Sequence, residues 1–169
     1  MSTLTDRLNA RCTAQRQIDT PLGRVRIART GHGLAGLWFE GQKHHPGELA
    51  APRRDDDPLL AETARQLAQY FAGERSAFDL PLDLQGTPFQ QSVWQALRRI
   101  PAGRTSSYGA LAQALGAPSA VRAVGAAVGR NPASLVVPCH RVLGRDGSLT
   151  GYAGGIDRKR ALLSLEARS

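Results

Sequence analysis

Cysteine is nearly absent from this chain: of 169 residues, only Cys12 and Cys139 carry a thiol. A disulfide framework is therefore excluded, a reducing compartment is implied, and Cys139 is left free for chemistry. Long apolar runs are missing too. No stretch reaches the roughly 18 to 20 residues that a membrane-crossing helix needs, so no membrane partner is expected. The opening MSTLTDRLNARC lacks the apolar segment of a secretory signal, which makes a cytoplasmic location the expectation. Internal repeats and low-complexity tracts are absent. What the second half lacks is acid: residues 85–169 hold only Asp146, Asp157 and Glu166 against 11 Lys and Arg, whereas residues 1–84 balance 11 against 11. The whole net charge of +8 thus falls in the second half. A surplus confined to one region points to a polyanion partner, with a generally arginine-rich composition as the competing explanation.

The hydrophobic fraction of 41% suits a folded chain, and its patterning changes along the sequence. Gln15 to Asp19, Arg24 to Ile27 and Leu34 to Phe39 read as short strands. Gly41 to Pro58 reads as a solvated loop. From Pro58 to Phe71 the period is helical, with Leu59, Leu60, Ala64, Leu67 and Phe71 on one side. A small antiparallel sheet with a helix laid across it follows for residues 1–84. Asp79 to Pro88, with Pro81 and Gly86, is the expected junction. Residues 85–169 read as mainly helical. Thr87-Pro88-Phe89-Gln90 carries an N-cap threonine, proline at the first helical position and glutamine at the third, a capping box. Phe89, Val93, Trp94, Leu97 and Ile100 form the stripe behind it. A helix from Tyr108 to Leu115, a stop at Gly116 and a helix from Ser119 to Val128 make a helix-turn-helix pattern. On the last helix Val121, Val124 and Val128 share one face. Arg122 projects opposite, flanked by the small residues Ser119, Ala123 and Ala126, an arrangement suited to close approach to a groove and equally to a solvated arginine on an alanine-rich helix.

The chemistry-bearing stretch runs from Asn131 to Val142. An apolar run ends at Pro138, and Cys139 and His140 follow at once. Thiolate sulfur is the strongest side-chain nucleophile at neutral pH, and histidine can favour it as base or as nearby cation. Adjacent residues in an extended chain point apart, so a turn at Pro138 or an intervening water is required. An isolated cysteine is more often buried structure than nucleophile.

Pro138-Cys139-His140-Arg141-Val142, with Asn131-Pro132 before it and Gly151-Tyr152-Ala153-Gly154-Gly155 after it, resembles the active-site signature of the O6-alkylguanine-DNA alkyltransferases, the methylated-DNA–protein-cysteine methyltransferases. Thr87-Pro88-Phe89-Gln90, Val93-Trp94, Ile100-Pro101-Ala102-Gly103, Ser107-Tyr108 and Arg122-Ala123-Val124-Gly125 match further family motifs in order. The N-terminal likeness is looser and rests on Thr20-Pro21-Leu22-Gly23. The resemblance implies an α/β (α+β) protein: a ribonuclease-H-like N-terminal unit, residues 1–84, supports a DNA-binding alkyltransferase unit, residues 85–169. It implies single-turnover transfer of an alkyl group from O6 of guanine in double-stranded DNA to the Cys139 thiol. His140, backed by Glu166, would relay the proton. Asn131 would brace the turn, and Tyr108 would donate to the departing purine. Tyr108, Val142, Tyr152 and Ala153 would form the base pocket, and Arg122, with Ser119, Ala123 and Ala126, would enter the minor groove and fill the space of the flipped base.

Direct displacement by sulfur requires no redox cofactor or metal, so none is expected, and the protein is expected to act as a monomer. Some family members carry zinc on an N-terminal cysteine–histidine set; here only Cys12, His32, His44 and His45 are available, scattered, so no zinc is expected. Ala153 replaces the serine of some members. A non-catalytic helix-turn-helix protein that binds DNA or lesions is the alternative, and a cysteine hydrolase a more distant one; neither uses all of Cys139, His140 and the basic surplus together.

Overall fold

The alternating pattern near the N-terminus folds into three antiparallel strands in a computed structural model that describes residues 2–168. These are β1 (Cys12–Thr20), β2 (Gly23–Thr30) and β3 (Leu34–Phe39), in the order β1-β2-β3. The β1–β2 turn is held by Thr20, whose hydroxyl donates to the Gly23 carbonyl at 2.6 Å, while Gly23 takes a φ of 118° that favours glycine. One face of the sheet presents Val25, Ile27, Leu37 and Phe39 to the main core. The other presents Ala28, Ala35 and Trp38 to Leu8 and Leu49. Every residue of β3 is buried, as expected for a strand covered on both faces.

The second cover is the helix α1 (Leu4–Arg11), which the sequence reading did not anticipate. Its signal is present in hindsight: Thr3 and Asp6 form a reciprocal capping box. The stretch from Gly41 to Pro58 is less solvated than expected. Leu49 and Ala51 are buried, and their carbonyls accept from the Gln15 side-chain amide at 2.9 and 2.6 Å. Asp57 caps α2 (Pro58–Phe71) by accepting from the Leu60 N–H, with Pro58 at the first position. Leu60, Thr63, Gln66, Leu67 and Tyr70 are its buried residues, while Leu59, Ala64 and Phe71 are only half-buried.

The second unit opens with α3 (Pro88–Arg98), whose Thr87–Gln90 capping box forms as expected. Val93, Trp94 and Leu97 are buried, but Phe89, placed on the same stripe, is exposed at the first turn. A two-residue strand β4 (Ser106–Ser107) leads into α4 (Tyr108–Ala114). After a turn with Gly116 at φ 71° comes α5 (Val121–Gly129), which packs against α3 and α4. α5 starts later than expected, leaving Ser119 in the turn. Val124 and Val128 are buried, whereas Val121 is exposed. A single 3-10 turn at Cys139–Arg141, β5 (Val142–Leu143) parallel to β4, and α6 (Ile156–Ala167) complete the chain.

The two units share one continuous apolar cluster running from Val25, Ile27 and Leu60 to Val93, Leu97, Val124 and Val137. Their join is also a backbone one. The free edge of β3 accepts the junction through Leu34 N–H to Pro81 O and Asp83 N–H to Leu34 O, both 2.8 Å. Further along that edge, Leu37 N–H donates to Pro132 O at 2.8 Å, and Ser134 N–H donates to Leu37 O at 3.1 Å. The N-terminal sheet thus carries the stretch leading to Cys139 as an additional edge segment.

Candidate active site

From Asn131 to Pro138 the chain makes a compact buried turn. Asn131 organises it: its amide donates to Val137 O at 2.8 Å, and its carbonyl oxygen accepts from Ala133 N–H at 2.9 Å. Leu135 sits at φ 73°, a conformation rare for a branched side chain and concentrated at functional turns. Pro138 O then accepts from Arg141 N–H at 3.1 Å, closing the 3-10 turn that presents Cys139. The turn at Pro138 that the adjacency of Cys139 and His140 demanded is present.

Behind the turn lies a fully buried ionic cluster. Oε2 of Glu166 accepts from Tyr70 Oη at 2.7 Å and Arg141 Nη2 at 2.8 Å and lies 2.7 Å from His140 Nε2. Oε1 accepts from Arg141 Nε at 2.9 Å. Burial alone would raise the Glu166 pKa, but these partners outweigh it and hold the carboxyl at about 2, ionised throughout the ordinary pH range. His140 Nε2 must therefore carry the proton it shares with Glu166, so that Nδ1 bears a lone pair. That Nδ1 is buried and meets no hydrogen-bond partner among the described residues. Burial lowers the His140 pKa, and the pull of Glu166 upward does not overcome it, so the ring rests neutral.

Cys139 is 5% exposed. Its burial pushes the thiol up to about 11, and the Asn131 side chain and the Lys159 ammonium, which favour thiolate, offset only part of that. The resting group is a thiol, not the standing thiolate that a nucleophile calls for. Lys159 is itself fully buried, its ammonium held by the carbonyls of Val142 and Thr150.

A cleft of about 790 Å³ opens beside this centre. Tyr108, Gly125, Ala126, Gly151, Tyr152 and Ala153 are among the residues lining it. The helix-turn-helix forms one wall, the 150–155 loop another, and Lys43 and His44 contribute from the N-terminal unit. Tyr108 Oη reaches Thr150 O and Gly151 O at 3.3 Å each, long bonds that a better acceptor could displace. Small residues on α5 leave room at the mouth.

Residues 88–168 match the model of the 6-O-methylguanine DNA methyltransferase DNA binding domain, and residues 15–84 match that of its ribonuclease-like domain. The chain belongs to the 6-O-methylguanine DNA methyltransferase family. The methylated-DNA–protein-cysteine methyltransferase of Mycobacterium bovis is 50% identical over 151 residues, covering 89% of this chain and 90% of the relative. That of Methanosarcina barkeri is 47% identical, covering 88% and 94%. Mycobacterium tuberculosis OGT in complex with DNA superposes with a TM-score of 0.84 at 49% identity, covering 92% of this chain and 94% of that one. The O6-methylguanine-DNA methyltransferase of Pyrococcus kodakaraensis reaches 0.51 at 26% identity, over 90% and 98%.

In this methyltransferase Asn131, Cys139 and His140 lie on one buried stretch, and Glu166 meets His140 Nε2 at 2.7 Å. Tyr108, Tyr152 and Ala153 line the cleft, but Val142, expected beside them, is not among its lining residues and is fully buried, paired with Ser106. Ala126 reaches the cleft. Arg122, Ser119 and Ala123 lie outside it on the exposed side of the helix-turn-helix, where Arg122 makes no hydrogen bond or ion pair among the described residues. Among the described residues no three His, Cys, Asp or Glu side chains gather as a metal would need. Cys12 opens β1, where burial raises its thiol to about 11. Sequence reasoning missed Tyr70, Arg141 and Lys159. Arg141 stood inside the quoted motif and could have been weighed as a partner for Glu166; Tyr70 and Lys159 carried no local signal.

Proposed function

We propose that this protein repairs DNA by moving the alkyl group of an O6-alkylated guanine onto Cys139 Sγ, once per molecule. The observation that carries the reading is a buried thiol beside a neutral histidine with an unpaired Nδ1, close to Tyr108 and Tyr152, which line a cleft bordered by the helix-turn-helix. Sulfur attacks the O–CH2 or O–CH3 carbon in line with the guanine oxygen. The S–C bond forms as the C–O6 bond breaks, and the electron pair of that bond stays on guanine. The thiol proton passes to His140 Nδ1 through one water, and the imidazolium that results is stabilised by Glu166 at 2.7 Å. The departing guanine takes a proton from Tyr108 Oη, which solvent restores. Because burial holds the group as a thiol at pH 7, the proton leaves as the base docks and bulk water is excluded. Displacement of this kind requires no metal or cofactor.

The partner is double-stranded DNA, entered from the minor groove by α5, with Arg122 filling the stack behind the extruded nucleotide. Residues 1–84 act as the supporting unit and residues 85–169 as the DNA-binding alkyltransferase unit of a monomer. Among the described residues no helix is long and apolar enough to cross a membrane, and a reducing cytoplasm suits a thiol that must stay free. A purely lesion-binding module would leave the buried relay without use. Incubation with an O6-methylguanine duplex should add one methyl mass to the peptide containing Cys139, and Cys139→Ala should abolish the gain while retaining DNA binding. No gain in mass, or turnover beyond one equivalent, would refute the proposal.

A further inference from the structure

We infer that Tyr70, on α2 of the N-terminal unit, is a positioning residue of the proton relay: by donating to the same Glu166 oxygen that His140 uses, it limits how strongly that carboxylate can draw His140 into its protonated form. The inference rests on the relay proposed above and gives residues 1–84 a part in it beyond carrying the fold.

Tyr70 is 2% exposed and 96 residues from Glu166 in sequence, yet its hydroxyl makes a 2.7 Å bond to Glu166 Oε2. Burial and the neighbouring carboxylate raise its pKa, so it stays a donor at every working pH. Three donors therefore share one oxygen: Tyr70 Oη, His140 Nε2 and Arg141 Nη2. Each takes part of the anionic charge that would otherwise stabilise imidazolium. The groups facing His140 are Glu166 and Lys159 from α6, Arg141 and Cys139 from its own turn, Tyr152 with its ring centroid 6.4 Å away, and Tyr70 acting through Glu166. Arg141 and Lys159 oppose protonation, and Glu166 favours it. A relay that accepts the thiol proton must start neutral, and Tyr70 keeps Glu166 from spoiling that. Removing the hydroxyl focuses the carboxylate on His140 and raises its basicity.

Tyr70→Phe isolates the hydroxyl, because the ring keeps its contacts with Phe71 and Phe78 at 5.3 Å between centroids. Two readouts test the idea. In the unreacted protein, the imidazole resonances of His140 followed by NMR against pH should titrate at higher pH in Tyr70→Phe than in the wild type. In single-turnover transfer from an O6-methylguanine duplex, the acid limb of the pH–rate profile should move up by about half a pH unit, with rates converging within about twofold on the alkaline side. Glu166→Gln should erase the difference between Tyr and Phe at position 70. A His140 titration that does not move, or a rate lowered equally at all pH, overturns the inference while leaving the transfer reaction standing. Absence of transfer in the wild type overturns the proposed function, and the relay role with it.

Discussion

Replacing Asn131 with alanine tests whether the turn that presents Cys139 depends on one side chain. Asn131 is 4% exposed, and Ala133 and Val137, whose backbone groups it bonds, are fully buried. The two losses are unequal. Val137 O still accepts from Cys139 N–H at 2.8 Å, so on that side only a net hydrogen bond disappears, about 0.5–1.5 kcal/mol. Among the described residues Ala133 N–H meets only the Asn131 carbonyl oxygen, at 2.9 Å, and stranding it in the core costs about 1–3 kcal/mol. The sum, about 1.5–4.5 kcal/mol, corresponds to a melting temperature lower by roughly 3–18 °C for a chain of this size. Asn131→Asp separates the bracing role from the electrostatic one. It keeps an acceptor for Ala133 but sets an anion beside the sulfur, so transfer at pH 7 should fall further than with alanine. Thermal unfolding by circular dichroism and single-turnover mass spectrometry measure the two effects. An alanine variant that melts within about 1 °C of the wild type and alkylates at an unchanged rate would mean that the turn is held by Leu37 and Pro132 alone.

Other substitutions report on neighbouring parts of the site. Arg122→Ala should slow transfer from duplex DNA at least tenfold and leave transfer from the free modified base unchanged; equal losses on both would remove the role assigned to it in base extrusion. Glu166→Gln should destabilise the fold by a few kcal/mol at pH 7. Because the folded carboxyl sits at about 2 against an unfolded value near 4.5, that stabilisation is complete above 4.5 and is lost as pH falls through about 2. Urea unfolding at pH 7 and near pH 3 should therefore show a gap that narrows in acid, and a gap that is constant or widens contradicts the assignment. Lys159→Met removes a cation that favours the thiolate, so modification of Cys139 by iodoacetamide at alkaline pH should slow; an unchanged rate would show that Lys159 only packs.

What the sequence made legible follows the reach of local physics. The strands around Val25 and Leu37, the helix beginning at Pro58 and the capping box at Thr87 each announce themselves within a few residues, and each stands where expected. α6 does not announce itself, because its inward face includes Lys159 and Glu166, which any hydrophobic pattern scores as solvent-facing. α1 leaves only a faint trace because Leu8 alone is buried on it, although its capping box is local. Phe89 and Val121 look like core and lie exposed, each at the first turn of its helix, where the chain has not yet reached the protein's interior. Of the site, Cys139, His140 and Asn131 are contiguous and legible, while Tyr70 and Lys159 reach it only through tertiary folding. The pairing of β3 with residues 132–134 is likewise long-range and leaves no local trace.

The burial of Cys139 works against reactivity and in favour of selectivity, and a protein that acts once has reason to weigh the second more heavily. An exposed thiolate would be open to every oxidant and stray electrophile, and each such event would consume the molecule. Holding the sulfur as a thiol near 11 removes that loss, because the nucleophile exists only when a proton acceptor and an alkylated base are in place together. The same low-polarity surroundings that disfavour the thiolate favour its product, since a thioether is uncharged and loses little on leaving water. Desolvation thus raises the first half of the reaction coordinate and lowers the end of it. In the proposed relay His140 and Glu166 act at the point between, where a positive ring beside a carboxylate stands in for the solvent that the buried site excludes.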